Sequence, residues 1–439
     1  MSLVVGLTGG FGSGCTTMAD LLCDELNFHV EKLSKELRDE WSRHHAGEPT
    51  REDLQQLGDE MRRADNAVLA KRAVDRGEQA DESVKRLVLD GIRNVAEVEY
   101  LQNRFGDRFF LFAVDASSGT RWQRVRSDYQ SQGLTDADFT ADDNRDRDEE
   151  VPWGQQVQLC VDRADVVVLN EGRRTKPQRK AHFGRLISAH VGLLEGTTLR
   201  YPTKHEALMN TAFSAAHQTR CLKRQVGAVI ATPRGEPISI GFNENPDAIK
   251  PCINQFGECY RDRVRNEHFA RVANKTNCPA CGHPIRPTVG PPWRCGCHAD
   301  EDVDCTCKAN LENFFFPGRA MNWCTALHAE ERAIINARGR DLEGAVLYST
   351  TFPCFLCAEK ILQAGIRRIV FTEAYPDVYS GELLEAAEPR VTIEKFEGVR
   401  SGKFDRIFGG VRAHEEARVD DWRRQGQPPQ PLPVEADGI

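Results

Sequence analysis

Leu327-His328-Ala329-Glu330 and, downstream, Pro353-Cys354-Phe355-Leu356-Cys357 are the two stretches around which this chain is organised. A catalytic zinc centre needs three protein ligands and one open position. His328, Cys354 and Cys357 supply an imidazole and two thiolates, and Glu330 is left over for proton transfer. The flanks predict how these residues are held: a helix over 326–337 carrying His328 and Glu330 near its start, a short buried strand over 345–350, and a second helix whose first turn suits Pro353. Cys354 and Cys357, three apart, then project from one face of that turn, where a helix N-terminus favours deprotonated sulfur. Two buried cysteines beside a surface glutamate would give the same spacing. The His-Ala-Glu one strand upstream and the proline before the first cysteine weigh against that reading.

The arrangement H-x-E…P-C-x-x-C is identified as the zinc nucleobase deaminase signature. The resemblance implies hydrolytic loss of the amino group at C4 of cytosine. Glu330 would pass the proton of the attacking water to N3 and then shuttle a second proton to the departing ammonia.

Composition bounds the rest. At 439 residues the chain has room for two or three domains, and 40% hydrophobic with 28% charged residues is the balance of a soluble globular protein. No apolar run is long enough for a membrane span, and the start, MSLVVGLTGG, lacks the pattern of an export signal. A cytoplasmic protein with no membrane partner is the expectation. Most of the 15 cysteines fall in CxxC or CxC spacings, which metal ligation in a reducing compartment explains better than disulfides. A net charge of −8 argues against bulk nucleic-acid binding.

The N-terminal region has its own motif. A strand over 3–7 runs into Gly9-Gly10-Phe11-Gly12-Ser13-Gly14-Cys15-Thr16-Thr17, and the helical MADLLCDEL follows. Strand, glycine loop and helix are the context of a phosphate loop, in which backbone amides converge on phosphate. Against G-x-x-x-x-G-K-S/T, Gly9 and Gly14 fit and Thr16 takes the magnesium position, but Cys15 stands where the lysine belongs. Strands over 86–90, 110–115 and 165–170 alternate with helical stretches, so residues 1–180 are read as a parallel α/β domain. It looks like a nucleoside or nucleotide kinase relative, with Arg121, Arg124 and Arg126 where such kinases place a lid; a solvated helix face is the other reading of these arginines. Without the lysine, a nucleotide bound with Mg2+ for sensing or regulation is expected rather than efficient phosphoryl transfer. Residues 135–150 read as a lid or an acidic surface loop. The basic stretch 173–180 begins a connection that runs over 181–200, a solvated linker or a contact for phosphate or RNA.

From residue 201 the pattern changes to a compact α/β layer: a helix over 202–221, a strand over 226–231, a turn at 233–236 and a returning strand over 237–243. Arg220-Cys221-Leu222-Lys223-Arg224-Gln225-Val226-Gly227-Ala228-Val229-Ile230, then Gly241-Phe242-Asn243, resembles deoxycytidylate deaminases, and Ala364-Gly365-Ile366-Arg367-Arg368-Ile369-Val370-Phe371 with Tyr375-Pro376-Asp377 continues the resemblance. It implies a cytidine-deaminase-like α/β/α domain over 201–415, with Asn243 on the sugar or base, Tyr375 near the base, and Arg220, Lys223 and Arg224 on phosphate. Asn243 as a turn cap, Tyr375 as core and solvated cations stay open. An insertion over 252–320 carries Cys278, Cys281, Cys295, Cys297, Cys305 and Cys307, more sulfur than one tetrahedral zinc takes. A structural zinc knuckle is expected there, with Cys278 and Cys281 the surest ligands; Cys252 and Cys259 precede it with uninformative spacing. Residues 416–439 include the Pro/Gln-rich QGQPPQPLP and read as a disordered tail.

A phosphate-loop domain followed by this deaminase domain resembles bacterial anti-phage deaminases that convert dCTP or dCMP to deoxyuridine nucleotides. The resemblance implies nucleotide depletion and a homo-oligomer. A polynucleotide deaminase acting on single-stranded DNA or RNA, and a nucleotide-responsive regulator or toxin-like protein, are the competing readings.

Overall fold

The computed structural model describes residues 2–80, 85–131, 133–147, 151–172, 176–195, 200–273, 277, 282, 324–373, 378–409 and 424. It divides into two compact units, Met1–Asn210 with Lys395–Ile439, and Thr211–Glu394. Both are α/β.

The first unit is a sheet with both faces buried. Its strands are β1 (Leu3–Thr8), β2 (His29–Lys32), β3 (Arg86–Asp90), β4 (Phe109–Asp115), β5 (Val166–Leu169) and β11 (Gly398–Val399), in spatial order β11-β5-β4-β1-β3-β2. The pairs β1–β3, β1–β4, β2–β3 and β4–β5 are parallel, and β11 closes the edge antiparallel to β5. Because side chains alternate along a strand, the apolar runs of β1 and β4 feed two cores. Leu3, Val5, Leu7, Phe110, Phe112 and Val114 enter one, while Val4, Phe109, Leu111 and Ala113 enter the other. Helices α1 (Cys15–Leu26), α2 (Leu33–His44), α3 (Arg51–Ala64), α4 (Val68–Ala80), α5 (Val95–Phe105), α6 (Ser118–Ser131), α7 (Asp136–Arg147), α8 (Val157–Asp162) and α9 (Lys176–Glu195) surround it.

Three expectations change here. Residues 181–195, expected as part of a connection over 181–200, are not a linker. The helix α9 runs through them, and Phe183, Leu186, Ile187, Val191 and Leu193 pack into the core of the first sheet. Apolar spacing outweighed the basic, proline-containing start of that segment. Residues 395–409, grouped by sequence with the second domain, pack with the first unit: β11 pairs with β5, and Val399, Ile407 and Phe408 enter the same core. The acidic segment around 135–150 is the helix α7 over its described part, not a loop.

Asp165 shows what the returning segment does to a buried charge. Its carboxylate accepts the Leu111 amide at 2.8 Å, and its own carbonyl accepts the Arg400 amide at 2.7 Å. Burial pushes its pKa up to about 6, against the opposing pull of the Leu111 amide and the charges of Lys403 and Arg400. A carboxyl whose folded pKa is raised holds its proton longer folded than unfolded, so its contribution to stability falls as pH rises from about 4 to about 6 and is level above that. Asp165→Asn is therefore expected to gain stability relative to the unsubstituted protein as pH rises through this window, measured as the difference in urea midpoints.

The second unit is built on β6 (Gly227–Ala231), β7 (Pro237–Phe242), β8 (Val346–Thr351), β9 (Arg368–Glu373) and β10 (Thr392–Lys395), in order β10-β9-β8-β6-β7. β6 is antiparallel to both β7 and β8, and β8 is parallel to β9. Its helices are α10 (Lys204–Ala216), which begins in the first unit, α11 (Cys252–Phe256), α12 (Tyr260–Ala273), α13 (Ala329–Asn336), α14 (Phe355–Gln363) and α15 (Val378–Glu385); α16 (Ser401–Gly409) belongs to the first unit. The predicted strand at 345–350 and the two helices that flank it form within a residue or three of expectation.

α13 presents Ala329, Ala333 and Ala337 to the sheet, and this smooth face lets the helix approach very closely. At Gly241 a β-carbon would lie 2.1 Å from the Ala329 carbonyl and 2.4 Å from the Ala333 amide. Gly241→Ala must push α13 away, at a cost of about 1–3 kcal/mol. We expect a lowered thermal midpoint together with weaker metal retention, because His328 caps that helix.

Candidate active site

Two helix beginnings meet on β8. His328 is the N-cap of α13 and Cys354 the N-cap of α14, both with extended backbone, and Cys357 lies in the first turn of α14. The imidazole Nδ1 is 3.2 Å from Cys354 Sγ and 3.3 Å from Cys357 Sγ. One ligand atom from each of the three residues fits within 4.8 Å of the others. Positive helix ends favour thiolate here. A hydrogen bond from Cys357 and the neighbouring imidazole hold the Cys354 thiol down at about 4, while Cys357, as the donor of that bond and buried, is pushed up.

Glu330 stands behind this cluster, 4% exposed. Burial raises its carboxyl above the usual carboxylate range. Ser349 of β8 donates its hydroxyl to Oε1 at 3.3 Å, and the Cys357 thiol is 3.7 Å from Oε2. The glutamate is thus held by neighbours in surroundings that disfavour its charge. Ser349 is a contributor the sequence did not flag; only its alternate position on β8 could have suggested it.

One nitrogen and two sulfur donors in a tight group, the cysteines buried and His328 half-buried, suit a borderline-soft ion, and zinc fits them. Among the described residues this is the only such group of His, Cys, Asp or Glu.

The remaining expected contacts are placed differently. Asn243 is buried with both ends of its amide engaged: Oδ1 accepts the Val226 amide at 2.7 Å and Nδ2 donates to the Arg224 carbonyl at 2.9 Å. It pins the segment that leads into β6. Arg220 donates through its backbone amide and Nε to Glu244 at 2.8 and 3.1 Å, Lys223 pairs with Asp262, and Arg224 Nη2 donates to Glu373 at 3.0 Å. Each expected phosphate contact therefore has an acidic partner. Tyr375 and Cys278, Cys281, Cys295, Cys297, Cys305 and Cys307 lie outside the described residues. Within them, burial raises the Cys324 thiol, and Cys221 and Cys259 lie close enough to raise it further.

In the first unit the glycine loop has the expected form. Gly12 and Gly14 take φ of +79° and +116°, conformations that favour glycine, and Gly14 caps α1. Gly9, Gly10 and Ser13 lead into that cap, and Cys15, Thr16 and Thr17 open the helix. Thr16 donates its hydroxyl to Asp90 Oδ2 at the end of β3, 3.2 Å away. Burial and the Asp90 charge push the Cys15 thiol up, so it stays neutral and supplies none of the lysine's charge. Arg124 donates to the Gly12, Ser13 and Asn170 carbonyls, while Arg126 is exposed.

Residues 202–373 match the family described as the cytidine and deoxycytidylate deaminase zinc-binding region. Deoxycytidylate deaminase of Saccharomyces cerevisiae is 27% identical over 237 residues, covering 52% of this chain and 57% of its own length. The Schizosaccharomyces pombe deoxycytidylate deaminase is 28% identical over 190 residues, 42% of each protein. That of Enterobacteria phage T4 is 27% identical over 176 residues, 39% of this chain and 79% of the phage protein. The chain thus spans about half the length of the two yeast relatives. Among the described residues no helix is long and apolar enough to cross a membrane.

If the cluster holds zinc, His328→Ala and Cys354→Ala should each remove about one equivalent per chain, read by elemental analysis of the purified protein. Retention of full metal content by both variants would count against the ligand set.

Proposed function

We propose that the second unit hydrolyses the amino group from deoxycytidine nucleotides, dCMP, dCTP or both, giving deoxyuridine nucleotides and ammonia. The observation that carries this reading is the gathering of His328, Cys354 and Cys357 within 4.8 Å beside the buried Glu330. Deoxycytidylate deaminases among the chain's homologues support the nucleotide as substrate.

His328, Cys354 and Cys357 would hold zinc, which supplies Lewis acidity and makes water acidic enough to ionise near neutral pH. Glu330 accepts a proton from the attacking water and delivers it to N3 of the cytosine ring. It then takes the proton of the hydroxyl newly added at C4 and passes it to the amine, which leaves as ammonia as the C4–N bond breaks and the C4 carbonyl forms. Ser349 keeps the carboxylate aimed through its hydrogen bond to Oε1. Arg220, Lys223 and Arg224 are the cations this reading assigns to substrate phosphate. They would exchange or share Glu244, Asp262 and Glu373 with the substrate phosphate. In the first unit, Thr16 and Asp90 would hold the Mg2+ of a nucleotide that regulates the enzyme, and depletion of the deoxycytidine nucleotide pool during phage infection is the proposed outcome.

The test is ammonia release from dCMP, dCTP and a cytosine-containing single strand by the zinc-loaded full-length protein. Glu330→Gln should lower turnover of the free nucleotides by about 10²–10⁴-fold while keeping its zinc. Full activity in that variant sinks the proton route. Turnover of the strand alone replaces the nucleotide reading with a polynucleotide one.

A further inference from the structure

The glycine loop of the first unit lacks its lysine, yet three arginines from separate segments, two helices and the loop after β3, border it. The Arg51 guanidinium, at the start of α3, lies 4.0 Å from the centroid of the Phe11 ring. Arg121 of α6 donates through Nη1 to the Phe11 carbonyl at 3.2 Å, and a β-carbon on Gly10 would sit 2.9 Å from that nitrogen. Arg93, just after β3, is near enough to Cys15 and Asp90 for its charge to lower both.

One helix takes all three. Asp143 of α7 grips Arg121 with both oxygens, 2.5 Å from Nη1 and 2.7 Å from Nη2. Asp146 accepts from Arg93 Nη1 at 2.9 Å, from Gln55 Nε2 at 2.6 Å, and from Arg51. Asp142 lies 3.4 Å from Arg51 Nε and accepts the Tyr129 hydroxyl at 2.6 Å. Apolar anchoring of α7 is slight, for Phe139 and Asp146 are its buried residues, and Phe139 joins a small cluster with Val125 and Tyr129. A helix this short needs tertiary contacts to persist. Those contacts are chiefly carboxylates on guanidinium groups.

Carboxylate and phosphate oxygens compete for the same planar guanidinium fork. Desolvated arginines also need some anion, because leaving one unpaired is costly. Beside the loop, Asn170 donates Nδ2 to the Ser13 carbonyl at 2.5 Å, while its buried Oδ1 has no hydrogen-bond partner among the described residues. A ligand's hydroxyl or amino group would satisfy that acceptor.

We propose that α7 is a tethered anionic plug. Asp142, Asp143 and Asp146 occupy the arginines that receive the phosphate chain of a nucleoside triphosphate, and binding of that chain displaces the helix. Arg51, Arg93 and Arg121 thereby supply the positive charge missing at Cys15. The inference rests on the glycine loop being a phosphate binder, as read above.

The experiment uses full-length protein with Mg2+ and two probes, inorganic tripolyphosphate and ATP, measured by calorimetry. Asp142→Asn/Asp143→Asn should bind about tenfold more tightly than the unsubstituted protein, and Arg121→Gln at least about tenfold more weakly. Hydrogen exchange on the unsubstituted protein provides a measurement free of any folding defect: saturating tripolyphosphate or ATP should speed exchange across 136–147. Tighter binding of ATP than of tripolyphosphate would support a nucleotide as the displacing ligand through contacts beyond the phosphates. Equal affinity of the aspartate variant, with unchanged exchange over 136–147, overturns the plug and leaves the phosphate loop standing. Absence of binding by every variant overturns both. Deamination is not read, so either failure is separate from that of the second unit.

Discussion

The second unit depends on how closely α13 can lie against β7. Its backbone meets Gly241 at a separation that no side chain at that position would permit. That contact, with the alanine face of α13, fixes the position of His328 at the helix start and of Glu330 in its first turn. α14 begins beside it because β8 runs between them, and Cys354 and Cys357 then need only a single helical turn to face the imidazole. Two positive helix ends and three donors converge where a cation with ionisable water is electrostatically welcome. The geometry of the site thus follows from a backbone packing constraint that acts on Ala329, between His328 and Glu330.

In the proposed reaction Glu330 carries the opposite requirement. A carboxyl that must take up and release protons near neutrality works best when burial disfavours its charge. Its place against β8, with a serine hydroxyl on one oxygen and a cysteine thiol near the other, provides that burial while keeping its orientation. The cations near the start of β6 show a third pattern. Arg220, Lys223 and Arg224 are balanced by Glu244, Asp262 and Glu373, so a bound phosphate would enter an existing charge network instead of meeting bare positive charge.

The first unit resolves a similar problem of charge. Its glycine loop, read as a phosphate cradle, has Cys15 at the position of the customary lysine, and the surrounding arginines are held by carboxylates of α7. Desolvated guanidinium groups are tolerable only when paired, so these arginines need an anion, whether the carboxylates of α7 or another.

Much of this was legible in the residues themselves. Spacings of two and three residues are local, so His328, Glu330, Cys354 and Cys357 could be picked out directly, and the glycine loop was visible by the same logic. Strands β1, β3 and β4 were visible because they are buried on both faces and appear as unbroken apolar runs. What tertiary structure alone decided is long-range. The role of α9 as core rather than linker depended on a sheet face waiting to be covered. β11 joined a sheet built more than two hundred residues earlier in the chain, across β5. The engagement of Asn243 with Arg224 and Val226, and the pairing of Arg51, Arg93 and Arg121 with one helix, join residues whose separation in sequence carries no periodic signal. Residue types and short spacings specify what a site can hold; which charges are already spent is settled only when distant segments pack.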